Sequence, residues 1–323
     1  MQRVAINGYG NLGRGVEKAL GLASDLELAV VFTRRNPQSV KTLGAPVASV
    51  EDMPDYTDDI DVCINCGGSA TDLMEQGVAT SRWFHTVDSF DTHARIPEYF
   101  SRIDAAAQVA GHCAIISCGW DPGLFSMLRV LGDAVLPSGR TTTFWGRGVS
   151  QGHSDAIRRL DGVVDARQYT VPVPDTVTAV QAGHAGELST RQMHTRECFV
   201  VAEPGADTAR IEAEIKAMPN YFADYDTTVT FITDAEMAQH HSGMPHAGRV
   251  IRTGCTSPEV RQSLTFSLEL DSNPEFTGSV LVAVARACAR KAARGETGAF
   301  TMLDITLSDL SPRNPGELRR EML

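Results

Sequence analysis

Two carboxylates, Asp91 and Asp121, stand where chemistry on a small cationic molecule would be expected. Each follows an apolar run: Phe84-His-Thr-Val-Asp88 leads to Ser89-Phe90-Asp91, and Cys113-Ala-Ile-Ile-Ser-Cys118 leads to Gly119-Trp120-Asp121-Pro122-Gly123. Acids at neighbouring strand ends can hold an ammonium group, and either a carboxylate or a bound water can take its proton. Asp88 ends the same run as Asp91 and is expected to face the same crevice. For any one of the three, a helix cap or an Asx turn is the competing use. A second set lies further along the chain. Phe144-Trp145-Gly146-Arg147-Gly148-Val149-Ser150-Gln151-Gly152-His153-Ser154-Asp155 places glycines around an aromatic wall and ends in a capped helix start, whose N–H groups suit a carboxylate. Thr170, Arg196 and His246 add a hydroxyl, a guanidinium and an imidazole near strand boundaries. His240, His241 and His246 have no acid or thiol at ligand spacing beside them, so no metal site is expected.

The N-terminal segment carries a different signature. Val4-Ala5-Ile6 runs into Gly8-Tyr9-Gly10-Asn11-Leu12-Gly13, and Leu28-Ala29-Val30-Val31-Phe32 ends at Thr33-Arg34-Arg35. In such a turn the first glycine allows the bend, the second lets backbone approach a pyrophosphate, and the third lets helix pack on strand. Leu12, Val16 and Leu20 recur at helical spacing behind it. Where an NAD site would place an acid, roughly 20 residues past the glycines, this chain has Thr33 and two arginines. A 2′-phosphate suits that pair, so the expected cofactor is NADP(H). The Cys66-Gly67-Gly68-Ser69-Ala70-Thr71 loop ends another apolar run and is expected to line the same crevice. Cys63 and Cys66 read as buried thiols of a parallel strand rather than a redox pair.

These residues need a scaffold, and the pattern supplies one. Through about residue 120 strands and helices alternate, which predicts a Rossmann-type, doubly wound parallel sheet. From Thr141 onward longer strands, with helices near His153 to Leu160 and Ile211 to Ala217, predict a mixed α+β domain with an open sheet. Residues 1–120 are thus expected to form the NADP-binding domain and 121–295 a second, substrate-binding domain. A helix over 279–294 and a strand over 300–307 close the chain, with 296–323 docking back on the first domain. At 323 residues two domains are the natural reading. A net charge of −11 argues against nucleic acid or an anionic membrane surface as partner. No stretch approaches the roughly 18 apolar residues of a membrane span, no signal peptide is recognised, and the cysteines suit reduced thiols, so a cytoplasmic location is expected.

Taken together, the motifs resemble the meso-diaminopimelate dehydrogenase family. The resemblance rests on Gly8 to Gly13, Thr33 to Arg35, Gly68 to Thr71, Gly119 to Gly123, Ser150 to Asp155, His194-x-Arg196, Gly243 to His246 and Asn273-Pro274, in order and across essentially the whole chain. It implies that Gly8 to Gly13, Thr33 to Arg35, Cys66, Gly67, Gly68, Ser69, Thr71, Ser89, Phe90, Asp91 and the Asp121-Pro122-Gly123 turn contact NADP(H). Asp91, Asp121, Trp145, Gln151, Gly152, Thr170, Arg196, His246 and Asn273 would surround diaminopimelate, with Asp155 a further candidate. The sequence departs from the family at Gly67, often a larger residue, and at Phe90, often Tyr.

The reaction implied is reversible oxidative deamination of the D-centre of meso-diaminopimelate to L-2-amino-6-oxopimelate, ammonia and NADPH. Asp91, Asp121 and Trp120 would act at the D-centre, while Thr170, Arg196, His246 and Asn273 hold the distal head. A homodimer and a closing cleft are also implied. The rival readings are a broad-specificity NADP-dependent D-amino-acid dehydrogenase, a related two-domain reductase such as a dihydrodipicolinate reductase, and a non-catalytic NADP(H) sensor. Only a diaminopimelate enzyme needs the distal anchors.

Overall fold

Short runs of fully buried Val, Ile, Ala and Cys punctuated by Gly and Asn are what a sheet covered on both faces demands, and the computed structural model, which describes residues 1–323, shows one. Its first strands and helices are β1 (Gln2–Asn7), α1 (Asn11–Gly21), β2 (Leu26–Thr33), β3 (Val47–Ser49), β4 (Val62–Asn65), α2 (Leu73–Thr80), β5 (His85–Asp88), α3 (Ile96–Ala110), β6 (Cys113–Ile115) and α4 (Leu124–Val135). The chain then forms β7 (Arg140–Trp145), β8 (Gly148–Val149), α5 (Gln151–Arg158), β9 (Val163–Pro172), α6 (Pro174–Gln181), α7 (Thr190–Met193), β10 (His194–Ala202), α8 (Thr208–Ala217), β11 (Asp226–Phe231), α9 (Asp234–His240), β12 (His246–Ser257) and β13 (Val260–Leu270). It ends with α10 (Asn273–Ala293), β14 (Gly298–Phe300), α11 (Leu307–Leu310) and α12 (Pro315–Met322). Two units result: Met1–Met127 with Pro274–Leu323, and Leu128–Asn273.

In the first unit seven parallel strands run in the order β14-β6-β5-β4-β1-β2-β3. The order reverses between β1 and β4, and a crevice at such a switch point is where open α/β sheets bind ligands. Val4, Ile6, Val31, Val62, Ile64 and Val87 build one core with α1 and α10. Helix α10 is buried almost all round, from Gly278 through Lys291, so an amphipathic stripe understates it. It starts at 273 rather than 279 and belongs to the first unit, so the return to that unit falls at 274 rather than near 296. Gly15 and Gly278 let α1 and α10 cross closely, because a Cβ on Gly278 would lie 2.6 Å from the Gly15 carbonyl carbon. The strand expected over 300–307 is only β14, residues 298–300; Thr301 then caps a 3-10 turn through Asp304.

The second unit carries two sheets, not the one open sheet expected. β11-β10-β9-β8 is mixed, with β10 and β11 parallel, and β13-β12-β7 is antiparallel. Ile157, Ala166, Cys198, Val200, Ile211, Ile215 and Phe222 pack α5 and α8 on the first sheet, while Phe144, Val177, Val180 and Ile251 pack α6 on the second. Helices α6, α7 and α9 escape sequence reading because they are short, with one or two fully buried residues at most.

Candidate active site

In the first unit the site begins with backbone. Gly10 precedes α1 with no side-chain cap, and no acid occupies the first helical turn, so the exposed N–H groups and the helix dipole are left for an anion. Gly8 takes a φ of 101°, and a Cβ on Gly13 would run into the Gly8 carbonyl oxygen. The turn is therefore a cradle that only glycine leaves open. The Gly8 amide donates to Phe32 O at 2.9 Å, and the Cys66 amide to Asn7 O at 2.8 Å, which draws the ends of β1, β2 and β4 together. Tyr9 is buried, and its hydroxyl donates to Glu17, whose other oxygen accepts the Leu43 amide at 3.0 Å. Burial and then Glu17 push the Tyr9 hydroxyl up to about 12. Glu17, a buried acid in an otherwise apolar helix face, had no motif to announce it.

The two arginines after β2 have different partners. Arg35 donates to Tyr9 O at 2.8 Å, tying the basic pair to the glycine turn, and Thr33 Oγ1 accepts the Arg35 amide at 3.1 Å. Arg34 pairs with Asp72 at 2.6 Å while its own side chain stays 73% exposed. Asp72 is a second residue the motifs missed. It also accepts the Gly68 amide and the Thr71 hydroxyl, and these bonds with Arg34 hold its carboxyl below the usual range against the opposing effect of burial. Beside them lies a cavity of about 360 Å³ lined by Arg34, Met53, Thr71, Gln76, Thr80 and Trp83 among others. The uncapped helix, the glycine cradle, the basic pair and this cavity fit a phosphorylated dinucleotide.

At the ends of β5 and β6 the expected acids separate. Asp91 is exposed, and its amide donates to Ser69 Oγ at 3.0 Å, so the Gly68–Thr71 loop and the Asp91 segment meet. Asp121 is partly exposed, in a turn closed by a Trp120–Gly123 bridge, and Trp120 packs edge-on against Phe125 at 5.3 Å. Pro122 lies in that turn, and the helix that follows starts at Leu124. Asp88 does not face a crevice. It is 1% exposed, accepts bonds from Tyr99, Phe90 and Ser117, and burial pushes its carboxyl up to about 6. The Phe90 side chain is likewise turned into the core, stacked on Tyr99 at 4.2 Å, so it offers a cofactor only backbone. Burial in an apolar loop end raises the Cys66 thiol well above its ordinary value.

The second unit builds with side chains. Gly148 pairs with Thr170, which pairs with Arg196 across β8, β9 and β10. Arg196 is 7% exposed, donates to Thr170 Oγ1, and lies with its guanidinium 3.7 Å from the Tyr225 ring centroid. No carboxylate of the protein pairs with it, and its Nε is buried without a partner; burial lowers its pKa. Trp145 is 39% exposed, and its amide is held by His194 Nε2 at 3.0 Å. A Cβ on Gly148 would lie 2.5 Å from the His246 ring, so this glycine makes room for the imidazole. Gln151 and Gly152 open α5 behind the Ser150 cap, and the Ser150 amide donates to Gln168 O at 3.0 Å, which sets them beside the Thr170 strand. The Asn273 amide donates to Met244 O at 3.0 Å, next to the His246 segment. Asp155 is exposed on α5, one helical turn beyond Gln151, and pairs with Arg158. Of the expected anchors only His246 lines the cavity of about 380 Å³ beside β12 and β13. His194 stands in a motif but its bond to the Trp145 amide was not signalled, and Tyr225 was not signalled at all, because it lies just before β11 and reaches Arg196 only through the pairing of β10 with β11.

The fold and the two residue sets define a Rossmann-type dinucleotide-binding protein with a second, mixed α+β unit that presents a buried, uncompensated arginine. Comparison with known proteins narrows this. The diaminopimelic acid dehydrogenase C-terminal domain matches residues 119–272. The meso-diaminopimelate D-dehydrogenase of Ureibacillus thermosphaericus is 58% identical over 322 residues, with 99% of each chain covered. The chain belongs to the diaminopimelate dehydrogenase family. Among solved structures, a multiply substituted meso-diaminopimelate dehydrogenase of Clostridium tetani with DAP is 49% identical at a TM-score of 0.94, covering 100% of both chains. An engineered D-amino acid dehydrogenase bound to NADP+ is 43% identical at a TM-score of 0.86, covering 100% of this chain and 99% of that one. The six residues substituted in the Clostridium protein, a Gln, a Thr, an Arg, a Pro, a His and an Asn, have the types and spacing of Gln151, Thr170, Arg196, Pro245, His246 and Asn273 here.

Proposed function

We propose that this protein carries out the NADP-dependent, reversible oxidative deamination of the D-centre of meso-2,6-diaminopimelate, giving L-2-amino-6-oxopimelate and ammonia. The observation that carries the reading is Arg196: a buried cation, bonded to Thr170, with no protein carboxylate to balance it. Leaving such a charge unpaired is costly, and a substrate carboxylate meets it with charge-assisted bonds. Thr170, His246 and Asn273 belong with it at the distal head, with Gln151, Gly152 and Trp145 along the rest of the molecule. In the first unit the α1 N-terminus takes the diphosphate, and Arg34 and Arg35 the 2′-phosphate. NADP+ supplies the hydride acceptor. Asp91 and Asp121 hold the D-ammonium group, and a carboxylate or a water they hold takes its proton, because the amine must be neutral before hydride leaves. Trp120 restricts that end and helps fix geometry.

The family relationship and the NADP+-bound relative support this assignment, as does the retention of all six residue types that the substituted enzyme had lost. The proposal includes a homodimer. β13 is a sheet edge with Val260 and Leu264 exposed, and α4 exposes Val130, Leu131 and Val135; such exposed apolar surface suits a second copy. It also includes a cytoplasmic location, which mostly buried free thiols suit; no helix is long and apolar enough to cross a membrane.

The test is NADP+ reduction, followed by nicotinamide absorbance, with meso-, LL- and DD-diaminopimelate and simple D-amino acids offered separately, and NAD+ as control. Turnover with the meso isomer and NADP+ is expected. Equal rates with simple D-amino acids would remove the distal anchoring, and no turnover with any of them would leave a nucleotide-binding protein of another kind.

A further inference from the structure

The ladder between β5 and β6 pairs only Thr86 with Ala114 and Val87 with Ile115. Beyond it the two strands are joined by one residue. Asp88 Oδ1 accepts the Phe90 amide at 2.9 Å and the Ser117 amide at 3.1 Å; Oδ2 accepts the Tyr99 hydroxyl at 2.6 Å; its carbonyl accepts the Cys118 amide at 2.8 Å. The segment leaving β5 delivers Asp91, and the segment leaving β6 delivers Trp120 and Asp121. Ser117 has a φ of 56°, in the left-handed region that residues with a side chain seldom adopt. Its hydroxyl is buried without a partner, so its side chain does not explain that conformation, whereas the amide bond to Asp88 does. The Asp91 amide in turn rests on Ser69. From these bonds we infer that Asp88 is a positioning residue for the dehydrogenase reaction: its carboxylate locks the Asp91 and Trp120–Asp121 segments at one spacing. It touches neither substrate nor cofactor.

The inference rests on the activity proposed above. A carboxylate suits the role because both amides and the hydroxyl are donors, and it alone offers acceptors to all three. Asp88→Asn turns one acceptor into a donor aimed at donors. Tyr99→Phe removes the bond to α3 and leaves both amide bonds, so it reports what stability alone contributes.

The experiment compares wild type, Asp88→Asn and Tyr99→Phe for melting temperature, NADP+ dissociation constant, and kcat and KM with meso-diaminopimelate, with and without deuterium at the D-carbon. Asp88→Asn is expected to lower kcat at least 30-fold and raise the isotope effect on kcat, with the NADP+ dissociation constant changed less than threefold. Tyr99→Phe is expected to lower the melting temperature with kcat within twofold of wild type. Should Asp88→Asn fold poorly, Asp88→Asn/Ser117→Gly is the second variant, since glycine tolerates the positive φ; it is expected to regain stability but not kcat. Full kcat in either Asp88 variant overturns the inference. A crystal structure of the Asp88 variant gives a readout free of turnover: displaced 89–91 and 117–121 segments are expected, and unmoved segments overturn it. A wild-type protein with no turnover would count against the parent reading, and this structure would still judge Asp88.

Discussion

The two units solve recognition in opposite ways. In the first, the groups that would face the nucleotide diphosphate are backbone: an uncapped α1, a Gly8–Gly13 turn that a Cβ would fill, and a loop whose amides are steadied by Asp72 and Gln76. In the second, the work falls to side chains fixed by strand pairing, with Arg196, Thr170, Trp145 and His246 brought together through Gly148, His194 and Tyr225. A backbone site tolerates few changes of shape but many of side-chain type; a side-chain site is the reverse. The difference teaches where each half can be broken without touching the other.

The sharpest break is a pair of variants. Gly13→Ala drives a methyl into the Gly8 carbonyl and is expected to weaken NADP+ binding by roughly 100-fold or more, as strain at a special backbone position does. Arg196→Met is expected to raise the KM for meso-diaminopimelate about 100-fold, the worth of one or two charge-assisted bonds, with the NADP+ dissociation constant unchanged. Because Arg196 is buried without a counter-charge, its replacement by an apolar side chain should leave the melting temperature level or higher. Fluorescence titration of NADPH and steady-state kinetics separate the two; an Arg196 variant that loses nucleotide affinity as well would dissolve the contrast.

A finer break lies within the first unit. Arg34→Ala and Arg35→Ala are each expected to erode the preference for NADP+ over NAD+ by about tenfold, one charge-assisted contact to the 2′-phosphate. Arg35→Ala should cost more, since Arg35 also holds the Tyr9 carbonyl, while Arg34 shares its charge with Asp72. Ratios of kcat/KM for the two nucleotides decide this, and an unaltered ratio would show the pair to be a solvated strand end.

The same contrast explains what could be read from the chain. The glycine turn, the basic pair and the individual strands and helices of the first unit are local in sequence: each needs a dozen residues or so, and the strand and helical patterns around them are clean. Asp88 was misplaced because type and strand end suit a ligand contact as well as a buried joint, and only the third dimension shows Tyr99 and Ser117 closing on it. The Phe90 side chain is turned into the core for the same reason, which leaves only its backbone toward a cofactor. The pairing of Asp155 with Arg158, one helical turn on, is likewise a contact that no motif records. The split of the second unit into two sheets, and the return of α10 to the first, depend on contacts between residues over 100 apart, which no window of sequence reports.

The smallest expected difference is in acid sensitivity. Burial, then the positive charge of Arg196, holds both His153 and His194 of the second unit at about 4, against 6.5 for a free histidine. Below pH 6.5 the unfolded chain takes up protons that these folded histidines refuse, so their contribution is complete above that pH and is lost as pH falls toward 4. In the first unit the shifts oppose one another. Burial and His112 lower His85 to about 4, but burial raises Asp88 to about 6; Asp88 keeps its proton when folded and favours the native state increasingly as pH falls from 6 toward 4. The second unit should therefore lose stability first on acidification from pH 7 to pH 5, by roughly 1 kcal/mol per histidine once part exposure is allowed for. Hydrogen exchange of β9 and β10 peptides against β1 and β4 peptides at the two pH values measures this directly. His194→Gln keeps an acceptor for the Trp145 amide but cannot titrate, so it should flatten the slope in the second unit alone; an equal slope in both units would mean that surface carboxylates, not these buried imidazoles, govern the acid limb.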